Sequence, residues 1–284
     1  MDKRQRIVKV PKNYYRRVHE ARYQRIFGAG AIFRQREMNL FVARAWEQFR
    51  SFVDLPSGAL GIEFGCGTGI NSIIISQQGF RMIGLDISPT AVHKAVELAK
   101  ANHCSARFFV GDMFDSSLQT GSFDFALNIW TLHAVGEQHL RDKHLSECYR
   151  VLKPGGYLFL HNESIELDVL SPDEEIVIQE VEEWNISERT NRFDLPDGGK
   201  IEVSFPGHMP PGLSGRRSLR EHREELECAG FRVLQCWEEL MRPNPSVSGN
   251  RVMIVFARKP TGNALRNRRT CMNDWFKESS ICKT

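Results

Sequence analysis

The chain has 284 residues, 41% of them hydrophobic, which permits one large α/β domain with additions or two small domains. Its net charge of +3 is too weak to argue for or against nucleic acid as a partner. Its seven cysteines are scattered without any C-x-x-C pair, which argues against a disulfide scaffold and a zinc site. The sequence contains neither a run of about 18 apolar residues nor a secretory signal, so we expect a cytoplasmic protein without a membrane span.

Two helices are predicted before the first strand, over residues 11–27 and 33–52. The first is basic and aromatic and contains Tyr15 and Tyr23. The second carries apolar side chains at helical spacing and is predicted to pack against a sheet. Residues 1–54 are therefore interpreted as an N-terminal helical extension.

Residues 60–71 read L-G-I-E-F-G-C-G-T-G-I-N, an apolar run, a tight glycine turn and the start of a helix. This is a strand, a loop like a phosphate-binding loop and a helix N-terminus, as in nucleotide sites of open α/β sheets. A dinucleotide fingerprint would place its third glycine at position 70, but here the glycine is Gly69. Glu63 beside the turn would repel a pyrophosphate and would suit a cation. S-adenosylmethionine (SAM), which carries an ammonium and a sulfonium, fits that requirement.

The segment from Glu63 to Gly69 resembles the first motif of the class I SAM-dependent methyltransferases. The resemblance covers residues 55–160 well and 218–258 more loosely. It implies an α/β fold with a Rossmann-like, seven-stranded, mostly parallel sheet, helices on both faces and an antiparallel last strand. It also implies that the acidic residue and the glycine loop hold the methionine end of SAM. The residues assigned to this end are Glu63, Gly65, Cys66, Gly67, Gly69 and Asn71.

Acidic residues follow the next two predicted strands. Asp86 lies about 20 positions past the glycine loop, where a carboxylate accepts the two ribose hydroxyls of a nucleotide. Ile87 is placed to pack on the adenine face, and Ser88-Pro89 is the expected start of a helix. In the resembled family an acidic residue after the third strand binds the adenine amino group. That role is assigned to Asp112, with Met113 offering its backbone amide.

The end of the fourth strand, at residues 123–128, is where chemistry is expected, because ligands of open α/β sheets bind outside the carboxyl ends of strands. Asn128 is assigned to the cofactor and Trp130 to the substrate. His133 is the predicted general base, because its ordinary pKa of about 6.5 suits proton transfer. The alternative is a histidine that only packs or hydrogen-bonds locally. The other candidate bases are Glu137, His139, Glu163 and His208.

Residues 163–217 form an insertion after the fifth strand, and such insertions often shape substrate specificity in the resembled family. N-terminal helices cover the active site in many of its small-molecule members. The predicted substrate contacts are Tyr15, Tyr23, Trp130, His133, Glu163 and His208. Residues 55–258 are assigned to the SAM-binding domain and 259–284 to a flexible basic tail.

The sequence therefore predicts a methyltransferase that moves the methyl group of SAM to an O, N, S or C atom of a small molecule, with S-adenosylhomocysteine as product. Neither a metal nor a nucleic-acid partner is expected, because no ligand spacing such as H-x-x-x-H and no RNA-binding module is present. The fourth strand also lacks the [DNS]-P-P-[YFW] pattern of enzymes that methylate base amino groups. The alternatives are an RNA or protein methyltransferase and a SAM-binding protein that transfers no methyl group. The acceptor and the oligomeric state stay open.

Overall fold

The computed structural model describes residues 8–9, 13–32, 40–164, 179–180, 188–206, 215–240 and 251–262. No helix in these ranges is long and apolar enough to cross a membrane. The helices are α1 (Tyr14–Gly28), α2 (Leu40–Phe52), α3 (Ile70–Gln77), α4 (Pro89–Ala101), α5 (Gln138–Val151) and α6 (Leu219–Cys228). The strands longer than two residues are β1 (Leu60–Phe64), β2 (Arg81–Asp86), β3 (Arg107–Val110), β4 (Phe123–Ile129), β5 (Leu152–Ser164), β6 (Glu188–Asp194), β7 (Lys200–Pro206), β8 (Arg232–Leu240) and β9 (Arg251–Arg258).

A seven-stranded sheet forms the centre of the chain, with the strand order β8-β9-β5-β4-β1-β2-β3. Strands β1 to β5 pair in parallel, whereas β9 runs antiparallel to both β5 and β8. The fold class predicted from the sequence is confirmed. Because the chain leaves β1 towards β2 and later returns to β4 on its other side, the strand order reverses between β1 and β4. Such a reversal opens a crevice at the carboxyl ends of the strands.

Helices cover both faces of the sheet because its strands alternate apolar side chains between the faces. On β4, Phe125 and Leu127 join the core that α2, α3 and α4 cover, and Ala126 joins the core beneath α5 and α6. Trp46 of α2 is buried in the first core, and its indole N–H donates to Gln78 over 2.8 Å. The ring therefore adds apolar burial without leaving its polar atom unpaired.

The start of α4 and the end of α5 are determined in different ways. Helix α4 begins as expected, with Ser88 as N-cap, accepting from the backbone N–H of Ala91, and a proline at the first position. The segment Lys153-Pro154-Gly155-Gly156 lies inside strand β5, which starts directly after α5, at Leu152. Gly155 and Gly156 are hydrogen-bonded to Lys259, so pairing with the end of β9 holds this stretch in the sheet.

Part of the insertion forms a hairpin of β6 and β7 closed by a hydrogen bond from Leu195 to Gly199. This hairpin packs on α1, where Ile26 shares a small core with Val203 and Phe205. The guanidinium of Arg22 lies 4.8 Å from the centre of the Phe205 ring. The N-terminal helix is therefore joined to the insertion by apolar and cation–π contacts. Separately, Val8–Lys9 pairs in parallel with Gln179–Glu180.

Candidate active site

A cavity of about 630 Å³ opens at the carboxyl ends of the central strands. Its volume lies within the range of small-molecule sites. One half, called here the cofactor half, is formed by the turns that follow β1, β2 and β3. The other, the acceptor half, is formed by α1, residues 129–135, Glu163 and residues 215–216.

The glycine loop brings main chain directly to the cavity. Gly65 has a φ of 68° and Gly67 a φ of 53°, a left-handed backbone that glycine adopts without strain. A Cβ atom at Gly65 would lie 2.4 Å from the side chain of Thr131, and one at Gly67 would lie 2.7 Å from the hydroxyl of Tyr23. Close packing of the loop on the acceptor half therefore requires both glycines.

Gly69 does not line the cavity, although it was predicted to bind the cofactor. It is the N-cap of α3 with a φ of 77°. A Cβ atom there would meet the ring of Phe108 at 2.5 Å, on the protein side of the loop. Its small size serves the packing of the loop against β3. Cys66 and Asn71 line the cavity.

Asp86 ends β2 and lines the cavity beside the glycine loop. One carboxylate oxygen accepts the backbone N–H of Gly67 over 2.8 Å, and the other accepts that of Ser88 over 2.9 Å. Burial raises the pKa of Asp86, and these backbone hydrogen bonds act in the opposite direction. The carboxylate therefore stands at a fixed position between the loop and the start of α4. Ile87 follows it in the cavity wall.

Glu63 lies under the glycine loop, almost fully buried. Its carboxylate accepts from the side-chain amide of Asn71 over 2.9 Å and from the hydroxyl and backbone N–H of Ser72 over 2.5 and 3.1 Å. Burial raises the pKa of Glu63 to about 7 against these hydrogen bonds. A cation bound beside it would favour the charged form.

The turn after β3 supplies the third acidic group of the cofactor half. Asp112 lines the cavity, and one of its oxygens accepts the backbone N–H of Phe114 over 2.8 Å. Met113 lines the cavity next to it. Carboxylates thus enter this half from three successive strand ends, which suits a ligand that carries positive charge and several hydrogen-bond donors.

Helix α1 forms one wall of the acceptor half, with Tyr15, His19 and Tyr23 in the lining. Two carboxylates fasten the helix. The hydroxyl of Tyr15 donates to Glu137, and Glu20 accepts from the hydroxyls of Ser88 and Thr90 and from the backbone N–H of Thr90. The hydrogen bonds of Glu20 tie the helix to the first turn of α4, next to Asp86.

His133 lies in a single 3-10 turn, Leu132–Ala134, and lines the cavity. Its Nδ1 is 3.2 Å from the side-chain oxygen of Asn162. Burial lowers the pKa of His133, although Glu163 and Asn162 act to raise it. Trp130 precedes the turn in a left-handed conformation with a φ of 55°, its ring edge-on to His133.

The other candidate bases are less suitably placed. Glu163 lines the cavity but forms an ion pair with Arg216, whose Nε donates to it over 2.5 Å. Glu137 is absent from the lining, and its carboxylate accepts a hydrogen bond from the hydroxyl of Tyr15. His139 is exposed on α5, and His208 lies outside the described residues.

Asn128 was predicted to contact the cofactor, and the structure places its side chain elsewhere. It is fully buried beneath the cavity. Its amide nitrogen lies 2.8 Å from Nε2 of His144, and its oxygen accepts the backbone N–H of Leu132 over 3.0 Å. These contacts use its side chain within the protein.

Several lining residues were not predicted. His19 could have been found from the sequence, because Tyr15, His19 and Tyr23 are spaced by four residues and share one helix face. No local pattern marks the others, which reach the cavity only through the fold. They include Arg22, Phe114, Thr131, Gly215 and Arg216. Within the described ranges, no group of three His, Cys, Asp or Glu side chains is arranged to hold a metal ion.

Comparison with known proteins finds methyltransferases that are similar to part of the chain. Residues 62–160 match the family model described as "Methyltransferase domain". The chain is 37% identical over 117 residues to 2-methyl-6-phytyl-1,4-hydroquinone methyltransferase of Synechocystis sp., covering 40% of this chain and 35% of that protein. It is 32% identical over 117 residues to the S-adenosyl-L-methionine-dependent Diels-Alderase iccD of Talaromyces variabilis, covering 40% of this chain and 39% of that protein. It is 34% identical over 70 residues to ribosomal protein L11 methyltransferase of Janthinobacterium sp., covering 24% of this chain and 23% of that protein.

The chain thus spans less than half the length of these curated relatives. Among solved structures, it is similar to a SAM-dependent methyltransferase from Methanosarcina mazei, with a TM-score of 0.54 and 19% identity. That match covers 80% of this chain and 100% of the other. At this identity the similarity supports the fold.

Proposed function

We propose that the chain is a class I SAM-dependent methyltransferase, as the match of residues 62–160 to the methyltransferase-domain model supports, and that it methylates a small molecule. The acceptor atom is an O, N, S or C atom, and the co-product is S-adenosylhomocysteine. One observation carries the proposal. A single cavity joins the acidic cofactor half to an acceptor half that contains His133.

The residues of the cofactor half fit SAM, the cofactor of this family. Glu63 would attract the ammonium group, and the main chain of the glycine loop would hold the methionine end. Asp86 would accept the ribose hydroxyls, and Asp112 with Met113 would contact the adenine. When bound, SAM supplies a methyl group already activated by the positive charge on its sulfur. The protein has to align the acceptor and exclude water, and alignment alone contributes roughly 7–11 kcal/mol.

His133 is proposed as the base for an acceptor that carries a proton on its nucleophilic atom. Because burial lowers its pKa below the ordinary value, the ring is neutral at pH 7 and accepts a proton. Positioned base catalysis accelerates such reactions by roughly 10²–10⁴-fold.

A small-molecule acceptor is favoured because α1, fastened by Glu20 and Tyr15, walls the acceptor half. Tyr15, Tyr23, Trp130 and Glu163 would contact the acceptor. We accordingly propose that residues 1–54 form a lid on the domain of residues 55–258, with 163–217 as its substrate-side insertion and 259–284 as a basic tail. The hydroquinone methyltransferase among the relatives agrees with a small acceptor, whereas the ribosomal protein methyltransferase keeps a macromolecular acceptor as the alternative.

A second candidate is a SAM-binding protein that transfers no methyl group. The observation that favours it is the similarity to iccD, a SAM-dependent Diels-Alderase. It predicts SAM binding without S-adenosylhomocysteine production against any acceptor.

The proposal is tested by calorimetric titration with SAM and S-adenosylhomocysteine, followed by an acceptor screen that detects S-adenosylhomocysteine. We expect SAM binding, and formation of S-adenosylhomocysteine with a small-molecule acceptor. His133→Ala should keep the SAM affinity and lower kcat roughly 10²–10⁴-fold. Full activity of this variant would exclude His133 as the base, and absence of SAM binding in the wild type would contradict the proposed function.

A further inference from the structure

Four polar side chains form a chain of hydrogen bonds beneath the cavity, from the turn after β3 to His133. In order they are His144, Asn128, Asn162 and His133. The first three are fully buried. Buried groups of this kind hold their orientation, because breaking any one bond leaves an unpaired polar atom at a cost of about 1–3 kcal/mol.

The direction of every hydrogen bond in this series follows from its first member, the contact between His144 and the carbonyl oxygen of Met113. The carbonyl oxygen of Met113 only accepts, so Nδ1 of His144, 3.2 Å away, carries its hydrogen. Burial lowers the pKa of His144 to about 4, so the ring is neutral and Nε2 is an acceptor. The amide nitrogen of Asn128, at 2.8 Å, therefore donates to it. The thiol of Cys148, 3.4 Å from the same nitrogen, is also in place to donate.

Backbone N–H groups impose the same directions independently. The N–H of Leu132 donates to the side-chain oxygen of Asn128 over 3.0 Å, which leaves the amide nitrogen of Asn128 facing His144. The same oxygen of Asn128 accepts from the amide nitrogen of Asn162 over 2.9 Å. The oxygen of Asn162 accepts the N–H of Thr131, also over 2.9 Å. Because that oxygen is only an acceptor, Nδ1 of His133 at 3.2 Å must be its donor.

We propose that Asn162 is the positioning residue of His133. It holds the ring as the Nδ1–H tautomer, so that the Nε2 lone pair is the proton acceptor offered to the cavity. Nε2 makes no hydrogen bond with any described residue. The inference rests on the proposed methyl transfer and names the atom that performs its proton step. It also gives the buried Asn128 a role, as the relay that orients Asn162.

The proton step balances with this assignment. The acceptor atom forms its bond to the methyl carbon, and the carbon–sulfur bond breaks with its electron pair going to sulfur. The proton of the acceptor moves to Nε2, and the ring becomes an imidazolium with hydrogen on both nitrogens. The Nδ1–H bond to Asn162 persists throughout, so the ring need not turn to accept the proton.

The first test is the tautomer itself, measured by long-range ¹H–¹⁵N correlation on ¹⁵N-histidine-labelled protein at pH 7. His133→Gln assigns the signals. We expect hydrogen on Nδ1 and a bare Nε2; hydrogen on Nε2 would overturn the proposal. This measurement needs neither an acceptor nor turnover. A wrong tautomer assignment can therefore be distinguished from a failure of the proposed function. Asn102→Leu is the matched control, because this exposed asparagine at the end of α4 takes no part in the hydrogen-bond network and should leave the tautomer unchanged.

The second test uses two variants of Asn162. Asn162→Leu removes the acceptor, so we expect a mixture of tautomers and roughly 10²-fold lower kcat with SAM binding retained. Asn162→Asp keeps an oxygen for both N–H groups, so the Nδ1–H tautomer should persist. Its negative charge should raise the pKa of His133 and move the acidic limb of kcat/KM to higher pH.

Other charged and titratable groups also influence the pKa of His133. The pH profiles of kcat/KM are therefore compared between proteins in which these groups are unchanged. These groups are His19, Arg141, His161, Glu163 and Arg216. An unchanged acidic limb in Asn162→Asp, or an intact Nδ1–H tautomer in Asn162→Leu, would show that Asn162 does not position the base. If Asn162→Leu does not fold, the wild-type tautomer and Asn162→Asp decide the question.

Discussion

The two halves of the cavity are built in different ways. The cofactor half consists of turns that directly follow β1, β2 and β3, and its carboxylates are oriented by nearby backbone, as in Asp86 with Ser88. The acceptor half collects four separate parts of the chain. Its contacts join distant residues, such as Tyr15 to Glu137, 122 positions apart. The comparison shows that short-range contacts organise the cofactor half, whereas contacts between distant segments organise the acceptor half.

The largest effect is expected from substitution of Arg141, whose contacts join several segments of the acceptor half. It is fully buried, forms an ion pair with Glu225 at 2.7 Å and donates to the carbonyl oxygens of Leu132, Val135 and Gly215. Arg141→Met removes the closest charged partner of the buried Glu225 carboxylate, which keeps the amide of Gln138 at 3.0 Å, His222 at 3.5 Å and Arg217 at 3.8 Å. We expect the free energy of unfolding to fall by about 3–5 kcal/mol, measured by urea denaturation.

Two further variants check that reason. Arg220→Met removes an exposed partner of Glu224 and should change stability by no more than about 0.5 kcal/mol. The double variant Arg141→Met/Glu225→Leu should recover part of the loss, because the buried carboxylate is removed together with its main partner. Equal losses in Arg141→Met and Arg220→Met would show that the buried network does not organise this half.

The next effect concerns the cofactor half. Asp86→Ala removes the proposed ribose acceptor and the partner of the Gly67 and Ser88 N–H groups. We expect roughly 10²-fold weaker SAM binding by calorimetry, since hydrogen bonds to a charged group contribute about 1.5–3 kcal/mol. Asp115→Ala is the control, because Asp115 is exposed after β3 and does not line the cavity. Unchanged SAM affinity in a folded Asp86→Ala protein would remove Asp86 from the cofactor site.

The smallest effect is a pH dependence of SAM binding through Glu63. Its pKa is about 7 in the free protein, and a bound cation lowers it, so binding releases a proton. Affinity should therefore rise roughly tenfold from pH 6 to pH 8, because the charged form of Glu63 becomes dominant over that interval.

Glu63→Gln separates this effect from the titration of the ligand's own amino group. It should bind SAM more weakly and lose the Glu63 contribution to the pH dependence. Identical pH profiles for the two proteins would show that Glu63 does not contact the charged end of the ligand. Proton release is measured in buffers of different ionisation enthalpy.

Prediction from sequence was most complete where the relevant contacts are local. The sheet and the start of α4 at Ser88 were predicted from motifs and are confirmed. Asn128 shows the limit, since its place at the end of β4 suggested a ligand contact. A strand alternates its side chains between two faces, and the direction of Asn128 depends on what packs beneath it.

The sequence by itself determined the order of strands, turns and helices and the acidic residues at three strand ends, because these depend on neighbours a few positions away. Only the tertiary structure decided that Gly215 and Arg216 reach the cavity and that Asn162 contacts His133. Asn162 meets His133 because β5 pairs with β4, and Gly215 is held at the cavity by a hydrogen bond from Arg141 of α5. A hydrogen bond between residues 29 positions apart, such as that of His133 with Asn162, has no local signature. Its direction is set by the backbone donors that the fold places around it.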